Sequence, residues 1–208
     1  MNQSILLVRI LMGSAAQLFL WIQSQEEWKG HHSSQNLSSK ISMLDLNKAL
    51  GQQPTEIKSL LICFVLALMI GVSFGLIYVA TTTSLTPEQT AEHYRGSDTS
   101  DDFDVPEKYA KTLSGMLLTT HTHVIAFSII FFLLGFLFSM SSMIRGSWKI
   151  ILLVEPFASF LLTFFSIWGL RYVSAYFSLT TIFFGVLTYA SFYLISSIIL
   201  YEILFYKE

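Results

Sequence analysis

Charge is scarce in this sequence. Asp, Glu, Lys and Arg supply 12% of its 208 residues, about half the share of an ordinary soluble domain. Too few charges remain to clothe a water-facing surface, and 53% of the residues are apolar. A typical soluble fold is excluded. Cysteine is down to one residue, Cys63. No internal disulfide, thiolate zinc site or iron–sulfur centre can therefore form within one chain. Lying in an apolar run, Cys63 reads as a small buried side chain.

Other signatures are missing too. There is no phosphate-binding glycine loop, nucleophile elbow or HExxH motif, so little points to an enzyme. The basic clusters merely flank apolar runs, which leaves nucleic-acid binding without a footing. Nothing alternates with a period of two over tens of residues, as a membrane barrel would require.

What is present is long stretches of hydrocarbon. Residues 59–84, 112–144 and 173–201 contain no Asp, Glu, Lys or Arg, and 150–170 contains only Glu155. Mean hydropathy is +0.58. At roughly 1.5 Å per residue, each stretch can cross a layer of about 30 Å. The pattern predicts an all-α, polytopic transmembrane helical bundle with four spans, over residues 58–208. Lys58, Arg145, Lys149 and Lys207 all fall on one side, cytoplasmic by the positive-inside rule. The other side receives residues 85–111, where seven acids face three bases. In a bacterial inner membrane that loop is periplasmic and the carboxyl terminus cytoplasmic.

Residues 1–57 form a separate region. Residues 5–22 are apolar apart from Arg9, Ser14 and Gln17, and a Ser/Gln-rich linker follows. A signal peptide, a fifth span and an interfacial helix all fit this pattern. The absence of a small-residue cleavage motif favours an extra hydrophobic helix, spanning or half-inserted. His31 and His32 belong to the linker and read as solvated.

Ionisable groups within spans are costly and each needs an explanation. Glu155 precedes Pro156, which cannot donate to the carbonyl of Leu152 and so predicts a kink with a free acceptor. A carboxylate there can relay protons, or simply be hydrogen-bonded near the cytoplasmic interface. Arg171 ends its span on the outer side beside Trp168 and Tyr172. It reads first as a headgroup anchor, and alternatively as a group reaching the outer loop or a ligand.

His121 and His123 stand among Thr119, Thr120 and Thr122, just before the apolar run that begins at Val124. That places them near the outer boundary of the hydrocarbon. On a regular helix, residues two apart point about 200° away from each other, so the pair does not chelate one ion. One ring is expected to face the bundle, the other lipid, a partner or the outer loop. No other span has a histidine, which excludes a haem clamped between two spans. The loop adds His93 beside Glu92. A site made from His93, one of His121 and His123, and Glu92 suits zinc or copper. A haem held by one histidine, with its other ligand from a partner, is the alternative, and a merely structural polar cap is the plain one.

Three stretches, SLTPEQTAEHYRGS, MLLTTHTHVIAFSIIFFLLGFLF and LLVEPFASFLLTFFSIWGLRY, follow one another along the chain. Together they resemble a family of uncharacterised bacterial membrane proteins marked by TPxxxxEHYRG, THxH and VEPF, some of whose members carry a misleading elongation-factor label. The resemblance covers about residues 58–206 and brings no established activity. It implies that Glu92, His93, Tyr94, Arg95, His121, His123, Glu155 and Arg171 belong to a shared pattern. More loosely, a His-x-His heading an apolar helix resembles helices of haem–copper oxidase relatives. The multi-helix histidine set of those enzymes is missing here.

The sequence thus predicts a non-catalytic accessory subunit or assembly factor of a membrane complex, respiratory or otherwise electron-transferring. Its cofactor would be haem, copper or zinc at the outer histidines, and its partners the lipid bilayer and other membrane subunits. A purely structural subunit is the second reading, with Gly71 and Gly75 as a GxxxG contact face. A small proton-linked transporter using Glu155 and Arg171 is the third, and the lack of an inverted repeat weighs against it.

Overall fold

The structure is a computed structural model, and it describes residues 48–97 and 106–205. These lie in one of the chain's two units, residues 44–208. The amino-terminal apolar stretch, His31, His32, Lys207 and the acids between 98 and 104 fall outside the described residues.

Among the described residues every regular element is helical. A short 3-10 turn, Leu50–Gln52, precedes five α-helices: α1 (Thr55–Thr83), α2 (Pro87–Arg95), α3 (Leu113–Ser139), α4 (Ser147–Tyr172) and α5 (Phe177–Phe205). All but α2 are long and apolar enough to cross a membrane. Their 26 to 29 residues correspond to roughly 39–44 Å, more than the hydrocarbon thickness, so their ends reach the headgroup region or the helices tilt.

Local chemistry sets the helix ends. Glu56 in the first turn of α1 complements the helix dipole. At the other end Thr82 and Thr83 bond back to Tyr78 and Val79 carbonyls, and Ser84 and Leu85 turn the chain with positive φ. The Thr86 hydroxyl then accepts from the amide of Gln89 at 3.3 Å, with Pro87 in the first turn. This cap starts α2 inside what composition alone marks as a loop. Thr112 caps α3 in the same way, accepting from Gly115 at 3.2 Å.

α5 is the hub: it packs along α4 most extensively and also meets α1, α2 and α3. The core is aromatic. Phe131 of α3 stacks on Phe160 of α4 with centroids 6.0 Å apart, and meets Phe192 of α5 edge-on at 6.5 Å. All three are essentially without exposure. Lipid tails are as apolar as these rings, so shape-matched packing rather than escape from water holds the helices together. Outward-facing apolar side chains such as Phe74, Phe132, Phe165 and Phe183 are exposed, as lipid contact requires. Aromatic residues also stand at both ends, Trp148 at one and Tyr109 and Tyr176 at the other.

α1 is the least embraced span. Cys63, expected to be buried, is exposed on it, because only one edge of α1 meets the bundle. Gly71 has no neighbour within 4 Å of a built Cβ, and Gly75 meets only the Tyr189 hydroxyl at 3.9 Å. Of the GxxxG pair, Gly71 is therefore left unpacked among the described residues, while Gly75 borders α5. Contrary to the sequence reading, one G-x-S-x-G string is present, Gly71 to Gly75 (GVSFG), but it lies in continuous helix rather than in a strand-to-helix elbow. Ser73 donates to the carbonyl of Met69 and pairs with the Tyr193 hydroxyl at 2.6 Å, with no general base in the arrangement.

Candidate functional site

The loop residues Glu92, His93, Tyr94 and Arg95 come together with Arg171 at the end of α4 as a polar cap over one end of the bundle. α2 lies against α1, α4 and α5. Its last turn is sewn to the segment that leads into α3: Tyr94 accepts from the Lys111 amide at 3.1 Å, and Ser97 donates its amide to Lys108 at 3.0 Å. Glu92 pairs with Lys108 Nζ at 2.9 Å. Between these strands of chain, Gly96 has φ +89°, and a Cβ there would lie 2.9 Å from the backbone nitrogen of Ala110. Only glycine fits this crossing.

Two arginines tie the cap to the end of α4. Arg95 Nη1 donates to the Leu170 carbonyl at 3.2 Å, satisfying one of the acceptors that a helix end leaves open. Arg171 Nε donates to the Lys111 carbonyl at 2.9 Å, and its guanidinium lies 5.0 Å from the Tyr172 ring centre. Trp168 stacks on Tyr172 and donates Nε1–H to Thr120 of α3 at 2.9 Å. Arg171 thus has both an aromatic neighbour and a partner in the loop.

Tyr94 fills the space beneath the cap. Burial, reinforced by Tyr78 of α1 and Tyr189 of α5, pushes its phenol up to about 12. His93 beside it is half-buried. Desolvation first, then Lys111 and Lys108, holds its ring below the ordinary histidine value, in the neutral form that can act as a ligand.

His121 and His123 lie in the first half of α3, both exposed. His123 leans over α4, its ring 5.9 Å from that of Phe164, and its Nδ1 lies 2.8 Å from the Thr119 carbonyl. A carbonyl can only accept, so Nδ1 carries a proton, and in the neutral tautomer this leaves the lone pair on Nε2. Among the described residues no three His, Cys, Asp or Glu side chains come together as a metal-ligand group. The expected set of His93, Glu92 and one α3 histidine is not gathered in one chain, and Glu92 is engaged by Lys108.

Glu155 is placed differently. α4 runs on through Pro156, and Glu155 Oε2 accepts from the Ser191 hydroxyl of α5, while Oε1 is enclosed without a hydrogen-bond partner.

One polar residue escaped sequence reasoning. Glu202, in the last turns of α5, is fully buried. It accepts from the Ser141 hydroxyl and from both the amide (2.9 Å) and the hydroxyl (3.0 Å) of Ser142, in the turn between α3 and α4. Lys149 donates to the Ser139 and Ser141 carbonyls of the same turn. The available signal was a carboxylate one residue beyond a charge-free run, opposite a pair of serines.

Four apolar spans, an aromatic core and a polar cap on one end define a multi-pass integral membrane protein. The chain belongs to the family of the Aq_1264_TM transmembrane helical domain, whose model matches residues 84–208. That match takes in α2 to α5 and leaves α1 outside it. No curated protein and no solved structure matches the chain.

Proposed function

We propose that the protein is a non-catalytic accessory subunit or assembly factor of a membrane electron-transfer complex, respiratory complexes included. In this reading it offers one histidine at its capped end to a haem, copper or zinc site that a partner completes. The observation that carries the reading is the hydrogen bond from His123 to Thr119: it fixes the ring and leaves Nε2 open on an exposed face. Ligand histidines are commonly oriented this way by their second nitrogen. With no three-ligand group inside the described chain, the remaining ligands come from outside it. His121, His93 and Glu92 are the neighbouring candidates, and the TPxxxxEHYRG and THxH motifs, both towards the capped end, support treating that end as one functional unit. The excess of bases at one end and acids at the other supports placing the cap on the periplasmic side of a bacterial inner membrane.

The test is purification from native membranes in mild detergent, followed by a visible spectrum and metal analysis. The expected result is a chromophore or bound metal in the wild type that His123→Ala removes. Colourless, metal-free protein whose partners are retained in His121→Ala and His123→Ala rejects the cofactor.

A purely structural subunit is the second reading, favoured by the unpacked Gly71 face of α1. Small residues let a neighbouring helix approach closely in lipid. Gly71→Leu is then expected to release co-purifying partners without changing the spectrum.

A further inference from the structure

The cap leaves one buried polar feature unused. Between α4 and α5 lie two hydrogen-bonded polar pairs, one helical turn apart in sequence: Glu155 with Ser191, and Ser159 with Thr188. Ser159, Ser191 and Thr188 are 2%, 6% and 4% exposed. Thr188 Oγ1 lies 3.0 Å from Ser159 Oγ, which donates to the Pro156 carbonyl at 3.2 Å. Glu155 takes a single hydrogen bond, from Ser191, and its Oε1 takes none. Pro156 has no N–H, so the Leu152 carbonyl in the adjoining turn lacks its helical donor. The cluster is rich in acceptors and short of positive charge.

Glu155 is bonded to Ser191 and to no basic side chain among the described residues. Lys149 is bound to the Ser139 and Ser141 carbonyls, and Arg145 lies in the turn, bonded to Ser142. The helical residues of α3 carry no Lys, Arg, Asp or Glu, and α5 carries only Glu202, which is held by Ser141 and Ser142. α1 has only Glu56 and Lys58, both in its first turn. Glu155 itself lies eight residues past Ser147, roughly 12 Å into the span. An uncompensated carboxylate is unfavourable at that depth.

The geometry points to a binding site for a small monovalent cation, a proton or an alkali-metal ion, held by Glu155 between α4 and α5. A proton converts the carboxylate to the neutral acid. An alkali ion replaces that proton one for one, with hydroxyl and carbonyl oxygens completing a hard-ligand shell. Either occupant leaves the same net charge. The site is independent of any cofactor at the cap.

A hydrophobic carbodiimide in the lipid phase tests this, since it modifies protonated carboxyl groups and Glu155 is only partly buried. The full chain in proteoliposomes is treated, and the adduct is located by mass spectrometry. Modification of Glu155 is expected, absent in Glu155→Gln and retained in Glu202→Gln. Severalfold slowing by sodium, lithium or potassium at fixed pH assigns the alkali ion; slowing only by raised pH assigns the proton. Ser191→Ala is expected to shift whichever dependence is found. No adduct at Glu155, or an adduct indifferent to both salt and pH, overturns the proposal.

Discussion

The carboxylate of Glu202 receives both the backbone amide and the hydroxyl of Ser142, 60 positions earlier in the chain. One fully buried side chain thereby closes the turn between α3 and α4 from the neighbouring helix. Removing it orphans the buried Ser141 hydroxyl, at about 1–3 kcal/mol, and two part-buried donors of Ser142 at less. Glu202→Ala is expected to lower the detergent unfolding midpoint markedly, while Glu202→Gln, which keeps one acceptor oxygen, loses less. Hydrogen exchange of the Ser142 amide should rise in the same order.

Gly96 and Gly146 separate backbone conformation from crowding. Both have positive φ with extended ψ (89°, 164° and 70°, −149°), a region essentially reserved for glycine. A Cβ at Gly146 meets nothing within 4 Å, whereas one at Gly96 meets backbone atoms of Ala110 and Lys108 at 2.9 and 3.0 Å. Gly146→Ala is expected to cost about 1–3 kcal/mol. Gly96→Ala should cost more and expose the segment after Lys108 to limited proteolysis.

His93 makes the cap sensitive to acid. Its folded-state value lies below the ordinary 6.5, first through desolvation and then through Lys111 and Lys108. Between those two values the unfolded chain binds the extra proton, so stability falls as pH falls. The contribution is whole above pH 6.5 and is lost progressively below it. Unfolding midpoints measured on both sides of that pH should show a smaller acid loss in His93→Gln than in the wild type.

Tyr94 has the opposite window. Its phenol is raised from 10 to about 12, so the folded state keeps the neutral form after the unfolded chain has ionised. Stability from this group is complete below pH 10 and declines as pH rises through that interval. Tyr94→Phe is expected to flatten the alkaline decline and to remove a phenolate step near pH 12 from an ultraviolet titration.

Membrane spans were readable because hydrocarbon tolerates so few charges: the charge-free runs fall on α1, α3 and α5 within a few residues, apart from the end of α3. That helix stops at Ser139 although apolar sequence continues to Ile144. The cause is the hold of Glu202 on Ser141 and Ser142, a long-range contact that hydropathy does not register. α2 was written in the sequence as Thr86-Pro87-Glu88, a helix start overshadowed by the acidity around it. Helical geometry sets His121 and His123 on different faces; the structure leaves both exposed, with the His123 ring near Phe164 of α4. The acceptors of Arg95 and Arg171 follow from no such pattern, because both are backbone carbonyls, which every residue carries. The alignment of Glu155 with Ser191 depends on how α4 and α5 rotate against each other, which packing alone decides.

The chain's single thiol is exposed on the most loosely held of the four described spans. A nitroxide or fluorophore attached at Cys63 therefore needs no background cysteines removed. Spectroscopic distances from that one label would report directly on which molecules assemble alongside α1, and at what spacing.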